Sequence, residues 1–385
     1  MSGDADLVWH EATPAGAVER RLRWQSANGT PAPRRVVLAD DTLGADAAVR
    51  LASEGTALLW RSDYHNARQL LQAMARRLDR RTARKSSRQP PREADAAAGF
   101  HLHRQAQAQR ARTLGMLIIP VEADYVIPLR RAPDVRAACA EAYGAAHGAF
   151  AVSLREMLGL IGAHEWRRQG VAIPALGGRR IHPYYGVFSP VRGEYLDLLA
   201  QAPLPAATLA FDVGTGTGVI AALLASRGVA RVVATDCDAR ALDCARDNLQ
   251  RLDFAERVDV VAADLFPPGR APLVVCNPPW IPARPNAAIE HAIYDPDSRM
   301  LRGFLDGLTA HLEPGGEGWL IMSDLAEHLG LRAPDELPRM IAAVGLKVLA
   351  RMETKPAHPR AADAGDPLHA ARSREITSLW RLAAQ

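Results

Sequence analysis

Phe211-Asp212-Val213-Gly214-Thr215-Gly216-Thr217-Gly218 is a hydrophobic run that passes into a glycine-rich turn, and an apolar helical stretch follows it directly. Glycines at such a turn let the backbone take positive φ and pass close beneath a ligand. Outward from this run the chain alternates. Period-2 and buried apolar runs predict strands at 208–213, 231–236, 258–262, 273–276, 318–322, 346–352 and 376–382. Helical periodicity predicts helices at 218–227, 238–251, 298–311 and 335–344. Such alternation implies an α/β fold with a seven-stranded, mostly parallel, doubly wound sheet that binds its ligand at the carboxyl ends of the strands.

The glycine turn alone does not choose the ligand. Gly216-Thr217-Gly218-Val219-Ile220-Ala221 also satisfies the looser G-x-G-x-x-A dinucleotide pattern. Two features argue against a dinucleotide. Asp212 sits beside the glycines, where a carboxylate would repel a pyrophosphate but complement the cationic methionine part of S-adenosylmethionine. Asp236 closes the next predicted strand, suited to the ribose hydroxyls, and Asp264 follows the third, where an adenine amino group can be met. The predicted cofactor set is Asp212, Gly214, Thr215, Gly216, Gly218, Asp236, Cys237, Asp264 and Leu265, with Asn277 at its edge. Asp238 is read as an ordinary helix cap.

The fourth strand of this series runs out into Asn277-Pro278-Pro279-Trp280. An amide or exocyclic amine nitrogen is a poor nucleophile because its lone pair is delocalised. An Asn side-chain oxygen and the following Pro carbonyl can both accept from one NH2 group, turning the lone pair toward an electrophilic methyl and stabilising the charge that develops. Pro278 and Pro279 hold the backbone extended so that the carbonyl aims steadily, and Trp280 is expected to stack on a flat substrate. These four residues form the predicted catalytic set. The aromatic segment 182–192 just before the core is read either as a wall of the substrate entrance or as core packing.

The rest of the chain bounds the setting. Its 385 residues, 48% of them apolar, suit two domains, and the net charge of +4 is compatible with an anionic partner. Cys139, Cys237, Cys244 and Cys276 lack metal or disulfide spacing, and no His lies at ligand spacing from Cys or acid, so reduced thiols and no metal are expected. The N-terminal residues show no leader pattern, and the apolar stretch 114–129 is broken by Glu122 and Asp124, so a cytoplasmic protein without a membrane span is expected.

Four regions are predicted: an irregular stretch over 1–34, a smaller α/β domain over 35–130, a helical connector over 131–176, and the ligand-binding domain over 177–385, opened by a hinge at Gly177-Gly178. Between Arg76 and Arg92 eight residues are basic against one acid, Asp79, with Ser86-Ser87 and Pro90-Pro91 expected to break the helix. This segment reads either as a phosphate-contacting arm for RNA or ribosomes or as a solvated linker.

Together, Phe211–Gly218, the run around Asp236, the run around Asp264 and Asn277–Trp280 resemble class I S-adenosylmethionine-dependent methyltransferases of the "small" type. They are most similar to the HemK/PrmC-like N5-glutamine enzymes and their RsmC-like and adenine-N6 relatives. The resemblance spans roughly residues 181–382 and implies that the glycine turn, Asp236 and Asp264 hold S-adenosylmethionine while Asn277 and the Pro278 carbonyl bind the target nitrogen. Trp280 stands where the glutamine enzymes usually carry Tyr, and Phe188–Tyr195 matches their entrance segment only loosely. The run Trp60–Ala67 faintly resembles the first domain of RsmC-like enzymes.

N-methylation of a planar nitrogen on a protein or RNA of the translation apparatus is therefore expected, with glutamine and a nucleic-acid base both open. A small-molecule amine acceptor and a noncatalytic binding module are the alternatives.

Overall fold

A computed structural model describes residues 6–14, 16–88, 96–190, 193–285, 290, 292–356, 366 and 368–385. The chain divides into two compact units, 1–94 with 101–165 and 95–100 with 166–385.

The first unit is built on strands β1 (Asp6–Thr13), β2 (Gly16–Trp24), β3 (Arg35–Ala39), β4 (Thr56–Trp60), β5 (Leu117–Val121) and β6 (Phe150–Ser153), in the order β1-β2-β6-β5-β4-β3. Its helices are α1 (Ala45–Ser53), α2 (Tyr64–Arg88), most of α3 (Ala96–Gly115), α4 (Arg136–Tyr143) and the first part of α5 (Leu154–Gln169). Strands and helices alternate within 35–130, as expected of an α/β domain, and three features differ from the sequence reading. Residues 6–24, expected to be irregular, form the antiparallel β1–β2 hairpin, because β2 pairs on its other edge with β6. The stretch 131–176 is more than a helical connector, since fully buried β6 lies in the middle of the sheet. Helix α2 runs through Ser86-Ser87 to Arg88, and 89–92 lie outside the described residues.

The Trp60–Ala67 run has a structural role in this unit. Buried Asp63, just past β4, accepts from Arg131 Nε at 2.7 Å, Arg130 Nε at 3.1 Å and the His65 amide at 2.8 Å. The Arg131 bond, with those of Arg130 and His65, holds its carboxyl well below the usual carboxylate range.

The second unit carries β7 (Val171–Ala172), β8 (Arg180–Ile181), α6 (Glu194–Gln201), β9 (Leu209–Val213), α7 (Val219–Ser226), β10 (Arg231–Asp236), α8 (Ala239–Arg251), β11 (Val258–Ala262) and β12 (Ala271–Cys276). There follow α9 (Arg299–His311), β13 (Leu312–Ser323), α10 (Leu325–His328), α11 (Glu336–Ala343), β14 (Leu346–Thr354), α12 (His369–Arg372) and β15 (Thr377–Ala384). The pair Gly177-Gly178, expected to be a hinge, instead lies in the turn of the small β7–β8 ribbon, where both glycines take positive φ and the Gly178 amide donates to the Ile173 carbonyl.

The seven-stranded sheet has the order β11-β10-β9-β12-β13-β15-β14, parallel from β11 to β13, with β15 antiparallel to both neighbours. Strand β12 is buried along its whole length, as expected of a central parallel strand covered on both faces. One apolar layer gathers α6, α7 and α8 on the sheet, and the other gathers α9 and α11. After β9 the chain steps outward to β10 and β11, then returns to place β12 on the other side of β9. The order therefore reverses between β9 and β12, which is where open α/β sheets bind ligands.

Among the described residues no helix is long and apolar enough to cross a membrane, and no three His, Cys, Asp or Glu side chains are grouped to hold a metal.

Candidate active site

Register brings the two sequence motifs together. On the paired strands β9 and β12, Cys276 lies opposite Val213 and Val275 opposite Asp212, so the chain leaves both strands at the same level. The glycine-rich turn follows on one side of the reversal point and Asn277-Pro278-Pro279-Trp280 on the other.

The turn is built from the inside. Asp212 is fully buried, and its Oδ2 accepts from Thr215 Oγ1 at 2.6 Å and from the Ala221 amide, in the first turn of α7, at 3.1 Å. Its other oxygen, Oδ1, has no partner. Burial pushes the Asp212 carboxyl up to about 7, against the pull of the Thr215 and Ala221 bonds. Half of this carboxylate thus fixes the turn, and half is a buried acceptor with nothing donating to it. An unmatched buried acceptor costs free energy, so a bound cation that met it would recover that cost.

Glycine is required at two positions of the turn. Gly214 has φ 74°, a conformation that L side chains rarely adopt; Gly218 has φ 80°, and a Cβ there would lie 3.2 Å from the α8 backbone at Ala245. Around Gly216 an added Cβ would meet nothing within 4 Å, so the turn presents open backbone at its middle.

Asp236, at the end of β10, accepts from the Gly216 amide and from the Asp238 amide, each at 3.0 Å. Burial raises its carboxyl as well. Asp238 caps α8, accepting from the Arg240 amide at 2.8 Å. Cys237 beside it is exposed, and partial desolvation with the neighbouring Asp236 charge raises its thiol. Asp264 is exposed after β11 and pairs with Arg299 at 3.1 Å. Leu265 takes the left-handed conformation at φ 77°, its carbonyl accepts from Thr235 Oγ1, and its side chain fills the space opposite Gly303 of α9.

On the opposite side, Asn277 Oδ1 accepts from the Trp280 indole N–H at 3.0 Å. Trp280 is half-buried and packs against the apolar clusters on both faces of the sheet and against a third around Phe100 and Ile281. The indole therefore orients the amide, a role the sequence reading did not assign to it. The Asn277 amide also lies within hydrogen-bonding reach of the Tyr195 hydroxyl, on α6, whose phenol is pushed up by burial and by the Asp212 charge. With Tyr195 on one side and Trp280 on the other, the amide plane is held, and Oδ1 keeps a lone pair for an incoming N–H.

Three contributors were not visible as site residues in the sequence. Tyr195 is one. Asn248 of α8 is fully buried, donates to the Thr217 carbonyl at 3.0 Å and accepts from the His182 amide at 2.7 Å, tying the glycine turn to the strand that precedes the core. Arg332 is buried too, with its Nη2 3.3 Å from the Trp280 carbonyl and 3.4 Å from Ser298 Oγ. Burial lowers its guanidinium, and the carboxylates of Glu336, Glu327 and Asp295 oppose that shift. Replacing Asn248 by Ala leaves an amide and a carbonyl without partners. The expected cost is roughly 2–4 kcal/mol, read as a lower urea midpoint of the full chain at constant m. An unchanged midpoint would show that water replaces both bonds.

The carboxyl-end crevice at a strand-order reversal, the acid-anchored glycine turn and the adjacent Asn-Pro-Pro run define the class I methyltransferase fold. Residues 181–330 match the family model of the methyltransferase small domain. The chain is similar to the release factor glutamine methyltransferase of Cereibacter sphaeroides, with 35% identity over 153 residues, 36% of this chain and 55% of that protein. It is also similar to the tRNA1(Val) (adenine(37)-N6)-methyltransferase of Bacteroides thetaiotaomicron, with 35% identity over 86 residues, 21% of this chain and 36% of that one. The chain thus spans about half, or less, of the length of these relatives. Among solved structures a methyltransferase from Pyrococcus furiosus aligns over 51% of this chain and 84% of its own, at 18% identity and a TM-score of 0.34.

Proposed function

We propose that the chain is an S-adenosylmethionine-dependent N-methyltransferase that acts in the cytoplasm on a planar amide or exocyclic amine nitrogen of a protein or RNA of the translation apparatus. The observation that carries this reading is the register of β9 and β12, which brings Asn277 and the glycine turn out at the same level, together with the unpartnered oxygen of Asp212. The residues fit the cofactor. A buried acceptor suits a cationic ammonium, the open backbone at Gly216 suits close approach, and Asp236 retains lone pairs for hydroxyls beside the two amides it already holds.

S-adenosylmethionine, when bound, supplies an electrophilic methyl on a sulfonium. The chain's part is to align the acceptor. Asn277 Oδ1 and the Pro278 carbonyl take the two N–H groups of the acceptor and turn its lone pair outward, and Trp280 and Tyr195 prevent the amide from rotating. Once methylated, the nitrogen is acidic enough to release its proton to water, so no strong base is required. Orientation of this kind can contribute roughly 7–11 kcal/mol to a two-substrate reaction.

Incubation with radiolabelled S-adenosylmethionine and fractionated cell extract tests the reading. Label is expected in protein or RNA; label in neither fraction would overturn it. The relatives named above act, by their names, on a release factor glutamine and a tRNA adenine, which agrees with a macromolecular acceptor.

A further inference from the structure

We infer that the exposed arginine face of α2 is a docking surface for the phosphate backbone of RNA, which makes the acceptor an RNA base. The acceptor assignment rests on the methyl-transfer reading above; the docking surface stands without it. Helix α2 carries eight basic residues against one acid, an excess of seven in a chain whose total excess is four, so the remainder of the chain is net acidic. The net excess of positive charge in this protein lies on this one helix.

Its placement is ordered. Tyr64, Ala67, Leu70, Leu71 and Met74 are buried at helical spacing, which turns the opposite face to solvent. On that face Arg68, Arg76 and Arg80 are exposed at multiples of four residues, with exposed Gln72 filling the interval. Arg84 and Arg88 repeat the same interval in the sequence, and the helix continues to Arg88. Residues four apart are neighbours on a helix surface, separated by roughly 6 Å along the axis, so Arg68, Arg76 and Arg80 follow one slanting row of charge.

The two nearby acids are chiefly engaged by other arginines, although Arg81 and Arg80 also act on the Asp46 charge. Asp46 is engaged by Arg77 at 2.5 Å, and Asp79, the one acid on α2, is engaged by Arg110 at 2.7 Å. Among the described residues Arg68, Arg76 and Arg80 have no ion pair, although Arg80 Nε donates to the Arg76 carbonyl at 3.3 Å.

A purely solvating face needs no such order, and its charges are commonly interleaved with acids at i,i+4. A single-signed line of guanidinium groups complements a polyanion, because each phosphate it neutralises releases condensed counterions. An acceptor base must be presented unpaired, which favours a single-stranded or looped RNA.

The test uses the full chain, a mixed-sequence 20-nucleotide single-stranded RNA, and the triple variant Arg68→Gln, Arg76→Gln, Arg80→Gln, all exposed positions outside the site described above. Fluorescence anisotropy between 50 and 200 mM salt should give a steep fall of log K with log salt for the wild-type chain. In the variant the slope should be shallower by about 2, at roughly 0.7 for each phosphate that is no longer neutralised. An equal slope and affinity in the variant would overturn the docking surface, as would salt-independent binding by the wild type.

Calorimetry with S-adenosylmethionine separates the two readings. Cofactor binding with label only in the protein fraction, unchanged in the variant, overturns the RNA acceptor and leaves methyl transfer standing. RNA binding with the expected slope but no cofactor heat leaves the docking surface standing and overturns methyl transfer.

Discussion

Asn277→Ala is expected to lower kcat by roughly 10²–10³-fold while the affinity for S-adenosylmethionine stays within about twofold. The scale is that of removing one preorganised hydrogen-bonding group aimed at charge that develops during reaction. The separation of the two effects follows from the architecture. The proposed cofactor cradle is built on β9, α7 and β10, through Asp212, Thr215, Gly216 and Asp236, and the amide of Asn277 takes no part in the bonds that shape it. Its bonds run instead to Trp280 and Tyr195.

Trp280→Phe refines the point. Phenylalanine keeps most of the apolar surface that packs against three clusters but has no N–H to hold Asn277 Oδ1. A freed amide can rotate, so kcat is expected to fall about tenfold, near the net worth of one hydrogen bond, with KM for the acceptor little changed. If Trp280 were only a stacking platform, Phe would serve nearly as well, and the loss would appear in KM. Steady-state kinetics with calorimetric cofactor titrations on both variants decide it. Loss of cofactor binding in Asn277→Ala would place that amide in the cradle rather than at the acceptor.

Where a segment's burial is uniform along its length, the sequence reveals it. Strand β12 and helix α7 are apolar at nearly every position, and both were readable, as was the Asp238 cap with its carboxylate one residue ahead of α8. The hairpin at the N-terminus was not. Strand β2 reads Gly-Ala-Val-Glu-Arg-Arg-Leu-Arg-Trp and is exposed along most of its length, so neither period 2 nor an apolar run marks it; its pairing with β6 does. Helix α2 likewise overrides the weak breaking tendency of Ser86-Ser87.

In the site, the glycines and acids at strand ends were legible because each follows a recognisable strand. Tyr195, Asn248 and Arg332 reach it from α6, α8 and the segment after α10, and no local pattern distinguishes an asparagine that ties Thr217 to His182 from any other helical asparagine. In the sequence Asp212 reads as a simple charge complement. Its two oxygens have different roles, one internal and one unmatched, and that division depends on Thr215 and the start of α7 folding back on it.

If the unmatched oxygen meets the cofactor's ammonium, cofactor affinity is expected to depend on pH near neutrality. In the free chain the Asp212 carboxyl titrates at about 7, raised chiefly by burial from an ordinary value of 3.8. A cationic ammonium favours the ionised form, so binding below pH 7 must release the proton. Apparent affinity for S-adenosylmethionine should then fall by up to about tenfold per pH unit below 7 and level off above it, until the bound-state value is reached. Stability runs the other way. A carboxyl raised on folding stabilises the free chain most fully below 3.8 and loses that contribution as pH rises through about 7, so the gain in Tm on adding cofactor should be larger at pH 8 than at pH 6. Asp212→Asn removes the titration and the charge while retaining a carbonyl oxygen for the Thr215 and Ala221 donors. It is expected to bind the cofactor roughly tenfold to hundredfold more weakly at pH 8, with little dependence on pH, as befits the loss of one hydrogen bond to a charged group. Calorimetry at pH 6, 7 and 8 in buffers of different ionisation enthalpy counts the protons released. A wild-type chain that binds with equal affinity and no proton release across that range would show that the Asp212 oxygen does not meet the cofactor's charge.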